Sequence, residues 1–141
     1  MSRFSDRGYC VLENGPVYTT PDMEKTIEWF ERVLGWWGQI DSRNDKGEPG
    51  YGSVFSLPPE VELSGVAPYT GIHLFPGEPR QGAVCFMKVS NIKRLRACVL
   101  SSGWERVTPI EHQPWGSYCT VTTLDGSEIK VFSSAALCPT V

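Results

Sequence analysis

The side chains able to do chemistry near neutral pH are few. The chain of 141 residues holds two histidines, His73 and His112. His112 follows Glu111, and a carboxylate beside an imidazole is raw material for general acid/base catalysis. Both residues read as part of a strand, however. Neighbours in a strand point to opposite faces, so the pair does not converge on one substrate. His112 alone remains as a candidate for the rim of a cleft. His73 sits in Gly71-Ile72-His73-Leu74-Phe75 and Lys130 in Glu128-Ile129-Lys130-Val131-Phe132. The two segments share one form, with His73 and Lys130 at corresponding places. Either side chain can fix an anionic or carbonyl-bearing ligand. Trp115 and Tyr118 flank the turn Gln113-Pro114-Trp115-Gly116. Flat aromatic walls of this kind suit a planar or amphipathic molecule.

Nucleophilic and phosphate-binding signatures are missing. The sequence has no G-x-S-x-G, Walker A, G-x-G-x-x-G or H-E-x-x-H pattern. The five cysteines are Cys10, Cys85, Cys98, Cys119 and Cys138. Their number is odd, none form C-x-x-C, and most lie in apolar runs. They read as reduced thiols rather than a disulfide framework or metal knuckle. Cys85 and Cys119 have no evident activating partner.

These residues must be positioned by short elements. Met23, Ile27, Phe30 and Leu34 form one helical stripe, which predicts a helix from Met23 to Leu34. Thr20 as N-cap would put Pro21 at its first position, and Gly35 supplies the stop. A second helix is expected from Ile92 to Ser101, capped by Ser90 or Asn91 and ended by Gly103. Its basic face, Lys93, Arg94 and Arg96, reads as solvated. Strands are expected at Val17–Thr20, Gln39–Ser42, Ser53–Leu57, Ile72–Phe75, Val84–Val89, Val107–His112, Tyr118–Leu124 and Ile129–Ser133, separated by Pro/Gly clusters. Asp125-Gly126 suggests a type I′ hairpin turn. Trp36 and Trp37 follow the first helix and cannot both face one side. One belongs to the core; Trp37 is the candidate for a ligand or dimer contact.

The order strand, helix, three strands then occurs twice, which marks a weak internal repeat. The linker is the polar stretch Glu78-Pro79-Arg80-Gln81-Gly82. Module one spans about residues 10–78 and module two about 82–134, within a single domain, 1–141. Neither module alone covers both faces of its sheet, so the two must pack together.

Composition narrows the partners. Thirteen Lys+Arg against 16 Asp+Glu give a net charge of −3, with no basic block, which argues against nucleic acid. No apolar run approaches the roughly 20 residues of a membrane helix, and Met1 to Tyr9 carry no signal-type apolar stretch. A cytoplasmic protein is expected. The sixteen aromatic residues, 11% of the chain, exceed the needs of strand packing and point to large apolar surfaces.

The stretch Asp22-Met-Glu-Lys-Thr-Ile-Glu-Trp-Phe-Glu-Arg-Val-Leu-Gly-Trp36, with Gln113-Pro-Trp-Gly116 and Leu124-Asp-Gly-Ser-Glu-Ile-Lys-Val-Phe132, resembles the vicinal oxygen chelate superfamily. That group contains glyoxalases, bleomycin-resistance proteins and extradiol dioxygenases. The resemblance covers roughly residues 10–134. It implies an α+β fold of two βαβββ modules forming a cleft between curved mixed sheets. Many members are homodimers, and a homodimer is expected here.

Metal-using members carry a divalent ion that polarises vicinal oxygens or binds dioxygen. Carried over, the ligand positions fall near Gly15, on His73, near Val84 and on Lys130. A shift of one residue would bring in Asn14 or Cys85. Only His73 among the four can ligate, whereas a catalytic site needs about three protein ligands. Lys130 is a cation at neutral pH, where metal-using members commonly have Glu. The expectation is therefore a protein without the family metal or another cofactor. It would bind a small planar or amphipathic molecule through His73, Lys130, Trp115, Tyr118, Trp37 and His112. Phe86 and Lys88, which share a face with Val84 by alternation, are second-rank candidates. The rival reading is a metal-dependent lyase, isomerase or dioxygenase with non-standard ligands.

Overall fold

The structure is a computed structural model that describes Gly8, residues 15–62 and residues 71–134. Asn14, Cys10 and Cys138 lie outside the described residues. In the first half, β1 (Val17–Thr20) leads to α1 (Met23–Trp29), which continues as a π-helical turn (Phe30–Leu34). Then come β2 (Trp37–Arg43), β3 (Pro49–Phe55), a single turn α2 (Pro59–Glu62) and β4 (Gly71–Pro76). The second half contains β5 (Ala83–Lys88), α3 (Ile92–Ser101), β6 (Glu111–Gln113), β7 (Gly116–Thr122) and β8 (Glu128–Ser134). Each half forms a four-stranded mixed sheet, ordered β1-β4-β3-β2 and β5-β8-β7-β6. In both, the first strand of the half pairs parallel with the last and the other pairings are antiparallel. The two sheets do not close on each other.

Helix α1 starts differently from expectation. Asp22, not Thr20, is the N-cap, and its Oδ1 accepts from the Lys25 N–H at 3.2 Å. Thr20 belongs to β1, and its buried hydroxyl is engaged with Thr26 at 2.8 Å. Its side chain therefore points into the fold. The expected stripe is also too narrow. Met23, Thr26, Trp29, Phe30 and Val33 are buried, while Ile27 and Leu34 are only partly so. Trp29 reaches the second half and meets Trp104 edge-on, ring centroids 5.2 Å apart. A helix covered from two sides buries more than one stripe. Its approach to the first sheet is close. A Cβ on Gly52 would fall 2.6 Å from the Met23 Sδ and 2.9 Å from the Gln39 carbonyl oxygen.

In the second half, Asn91 caps α3 by accepting from the Arg94 N–H at 3.0 Å. The strand expected at Val107–His112 shrinks to β6, preceded by an isolated bridge from Val107 to Val121. Pro109 interrupts the ladder because it has no N–H to donate. The Asp125-Gly126 turn is not type I′. Among the described residues none but glycine has positive φ, and in this turn Gly126 alone takes it, at +89°. Instead Leu124-Asp125-Gly126 is a three-residue loop, closed by Thr123 N–H to Ser127 O at 2.8 Å and Gly126 N–H to Thr123 O at 3.0 Å.

One apolar core serves both halves. It joins Tyr18, Trp29, Phe30, Val54, Ile72 and Leu74 to Ile92, Val99, Cys119, Val121, Ile129 and Val131. A polar clasp crosses the same boundary. The Asp125 carboxylate accepts from Tyr18 OH at 2.7 Å, Thr26 Oγ1 at 2.7 Å and Thr20 Oγ1 at 3.2 Å. No helix among the described residues is long and apolar enough to cross a membrane.

Candidate functional site

Alternation in the second sheet sorts its side chains. Cys119, Val121, Ile129 and Val131 face the core and are buried. Tyr118, Thr120, Lys130 and Phe132 therefore share the opposite face. The register sets Phe86 beside Lys130 and Lys88 beside Phe132 on that same face. There a hollow of about 420 Å³ is lined by Gln113, Trp115, Tyr118, Lys130, Val131 and Phe132. Trp115, 55% exposed, stacks on Tyr118 with centroids 5.8 Å apart and planes 17° apart. It meets Phe132 edge-on at 6.4 Å. The Tyr118 hydroxyl donates to Glu111 across the strand pair, and that bond raises its pKa above the ordinary tyrosine value. Lys130 Nζ donates to Thr120 Oγ1 at 3.2 Å and pairs with Glu128 at 3.2 Å. The hollow thus offers an aromatic wall, an apolar edge and one cation on its floor.

Phe86 and Lys88 line a second space. It is a crevice of about 460 Å³ between the halves, with Trp36 and Ile72 on one side and Cys85 and Met87 on the other. Burial pushes the Cys85 thiol up to about 11, so it stays neutral near pH 7. Among the described residues Cys85, Cys98 and Cys119 form no disulfide.

His73 and Trp37 lie on the first sheet and line neither of these spaces. His73 Nδ1 is 2.6 Å from Tyr51 OH, and the two rings stack at 5.8 Å. Trp37 stacks on Phe55 at 4.5 Å and donates its Nε1–H to the Leu57 carbonyl at 2.6 Å. Trp36 is the core member of the tryptophan pair, buried against Phe30. His112 is on the face of β6 opposite to Glu111, bonded to Ser117 at 2.7 Å, and points away from the Trp115 hollow. The set named from sequence is therefore divided. Lys130, Trp115 and Tyr118 come together, Phe86 and Lys88 lie beside them on the crevice, and His73, Trp37 and His112 lie apart. Sequence reasoning missed Phe132, which a two-residue step from Lys130 would have found. It also missed Tyr51, whose place depends on the pairing of β3 with β4.

The register also tests the metal positions. Val17 pairs with His73, and Phe86 with Lys130, two residues beyond Gly15 and Val84. The four side chains are then two hydrocarbons, one imidazole and one ammonium. That set does not fit a divalent ion. Among the described residues no group of three His, Cys, Asp or Glu side chains is arranged to hold one.

The fold has solved counterparts. A glyoxalase-related enzyme from Clostridium phytofermentans is 46% identical, covers 91% of this chain and 98% of its own, and superposes with a TM-score of 0.83. The chain belongs to the glyoxalase/bleomycin resistance/dioxygenase superfamily. The family model for the bleomycin resistance protein domain matches residues 15–77. A superfamily member from Sphaerobacter thermophilus shares the fold at 18% identity, covering 87% of this chain and 98% of its own, with a TM-score of 0.64. The same holds for the bleomycin-binding protein of Streptomyces verticillus, complexed with copper(II)-bleomycin. It is 14% identical, covers 89% and 98% of the two chains, and gives a TM-score of 0.59. No curated protein sequence matches this chain.

Proposed function

We propose that this superfamily member binds a planar or amphipathic small molecule against the Trp115–Tyr118 wall, without the divalent ion of its metal-using relatives. The observation that carries this reading is the stacked, exposed Trp115 above Phe132 and Lys130. Two solved relatives of the same fold are described as bound to bleomycin or its copper complex, which supports a small-molecule ligand at the level of the family. The aromatic wall would bury one face of the ligand, and Lys130 would meet a carbonyl or anionic edge. The donor set at the family metal positions supports a metal-independent mode.

A thermal-shift screen over planar acids, glutathione adducts and aromatic antibiotics tests the reading, since a ligand specific for the native state raises its stability. A ligand so found should lose roughly tenfold in affinity in Trp115→Ala, the scale of one aromatic stack plus its buried area. An unchanged affinity refutes the placement.

The second reading is a metal-dependent lyase, isomerase or dioxygenase with non-standard ligands. It is favoured by the 46% identical relative, which is described as an enzyme. Metal analysis of protein purified without chelators separates the two. About one tightly held divalent ion per chain supports the second and refutes the first.

We also propose that two copies pair. Phe86 is 71% exposed and Trp115, Val17 and Phe75 also reach solvent from the outward faces. A second copy packed on these faces would remove that apolar surface from water. Light scattering at low micromolar concentration should report twice the monomer mass; a monomer refutes the pairing.

A further inference from the structure

The geometry points to a second binding site, the crevice between the two halves, whose ligand is a molecule with an apolar body and a single carboxylate end. This site does not depend on the Trp115 hollow being occupied. Its walls are Trp36 and Ile72 from the first half and Phe86 and Met87 from the second. At about 460 Å³ it lies within the range of small-molecule pockets. Among the described residues that line it, Lys88 is the one ammonium and there is no carboxylate. Lys88 makes no ion pair or hydrogen bond among the described residues, whereas Lys130, on the same sheet face, is held by Glu128 and Thr120. A cation without a counter-charge beside an apolar space selects for an anion attached to hydrocarbon. The apolar walls supply affinity through area removed from water, and the lysine supplies the choice of end group. Phe86 of the crevice packs against Phe132 of the hollow, ring centroids 5.6 Å apart, so the two sites are adjacent but have separate linings.

Decanoate below its micellar concentration is the probe, titrated calorimetrically into the full chain, with 1-decanol as the uncharged equivalent. Wild type should take one decanoate per chain and bind decanol roughly tenfold more weakly. Lys88→Met should weaken decanoate by about the same factor and leave decanol within about twofold. Decanoate affinity should also fall with added salt while decanol affinity does not, a readout that needs no variant. Trp115→Ala should leave decanoate affinity unchanged. Failure to bind decanoate, equal affinity for acid and alcohol, or indifference to both Lys88 and salt overturns the proposal. Loss of decanoate binding in Trp115→Ala also overturns it, because the acid would then sit in the hollow. If decanoate binds as expected while no planar ligand responds to Trp115, the crevice stands and the proposed function falls.

Discussion

Replacing Tyr18 by Phe removes one oxygen from the buried clasp that joins the two halves. The Tyr18 ring is fully buried, and its hydroxyl lies 2.7 Å from Asp125 Oδ2 and 2.8 Å from Thr123 Oγ1. Its one proton goes to the carboxylate, the stronger acceptor, and Thr123 can then donate in return. A hydrogen bond to a charged group contributes about 1.5–3 kcal/mol. Asp125 is only half-buried, so the lower half of that range applies and Tyr18→Phe should cost about 1.5–2 kcal/mol. Asp125→Ala also strands the Thr20 and Thr26 hydroxyls and should cost about 3 kcal/mol. The double variant should fall short of the sum by about 1–2 kcal/mol, the coupling expected of directly bonded partners. Urea unfolding followed by tryptophan emission measures all three. Additivity within about 0.5 kcal/mol would refute the clasp as an energetic link.

The same bond predicts a pH dependence. Burial first, and then the bond to Asp125, raise the Tyr18 pKa well above its ordinary value of 10.0. The folded state keeps this proton while the unfolded chain loses it above about pH 10. The contribution is therefore complete below that pH and declines as pH rises beyond it. Tyr18→Phe should flatten the alkaline limb of the stability curve.

Three further outcomes follow from single contacts. Gly52→Ala should destabilise by about 1–3 kcal/mol, because the added methyl meets the Gln39 carbonyl as well as the movable Met23 side chain; a neutral result in urea unfolding contradicts that close approach. Iodoacetamide at pH 8 should label exposed Cys98 well before Cys85, whose pKa is about 11, and peptide mapping that finds the reverse order would overturn the burial argument. Phe86→His with Lys130→Glu places an imidazole beside a carboxylate at the paired positions of β5 and β8, so zinc titration should detect tighter binding than wild type; no gain refutes the register.

Much of the fold could be read locally because its signals are local. The Met23 stripe and its Gly35 stop, the Asn91 cap and the similar terminal strands of the halves each need only a few neighbouring residues. The misreadings arose where a distant partner decides. Thr20 looks like a cap until Thr26 and Asp125 claim its hydroxyl. Asp125-Gly126 looks like a type I′ turn, yet the carboxylate is committed to Tyr18 and Thr26, and Asp125 keeps negative φ. The site suffered most from this limit. Trp115 and Tyr118 are three residues apart and were found together, whereas His73 and Lys130 match in the repeat but lie on different sheets. A repeat reports equivalent positions, not adjacent ones.

The symmetry of the halves also shows which positions can set the chemistry of the outward face without disturbing the core. The positions that flank the parallel strand pair in each half, Val17 with His73 and Phe86 with Lys130, point outward from the core. Nothing in the packing fixes their type, because the core is built from the alternate residues Tyr18, Ile72, Leu74, Met87, Ile129 and Val131. Substitution at the outward positions therefore changes the chemistry of the face at little cost to the fold. At these positions Val17 and Phe86 present hydrocarbon, His73 an imidazole and Lys130 an ammonium. On the proposed reading, such a face disfavours a bound cation and favours flat or anionic molecules. The apolar and cationic character of that face is thus set at positions the core leaves free.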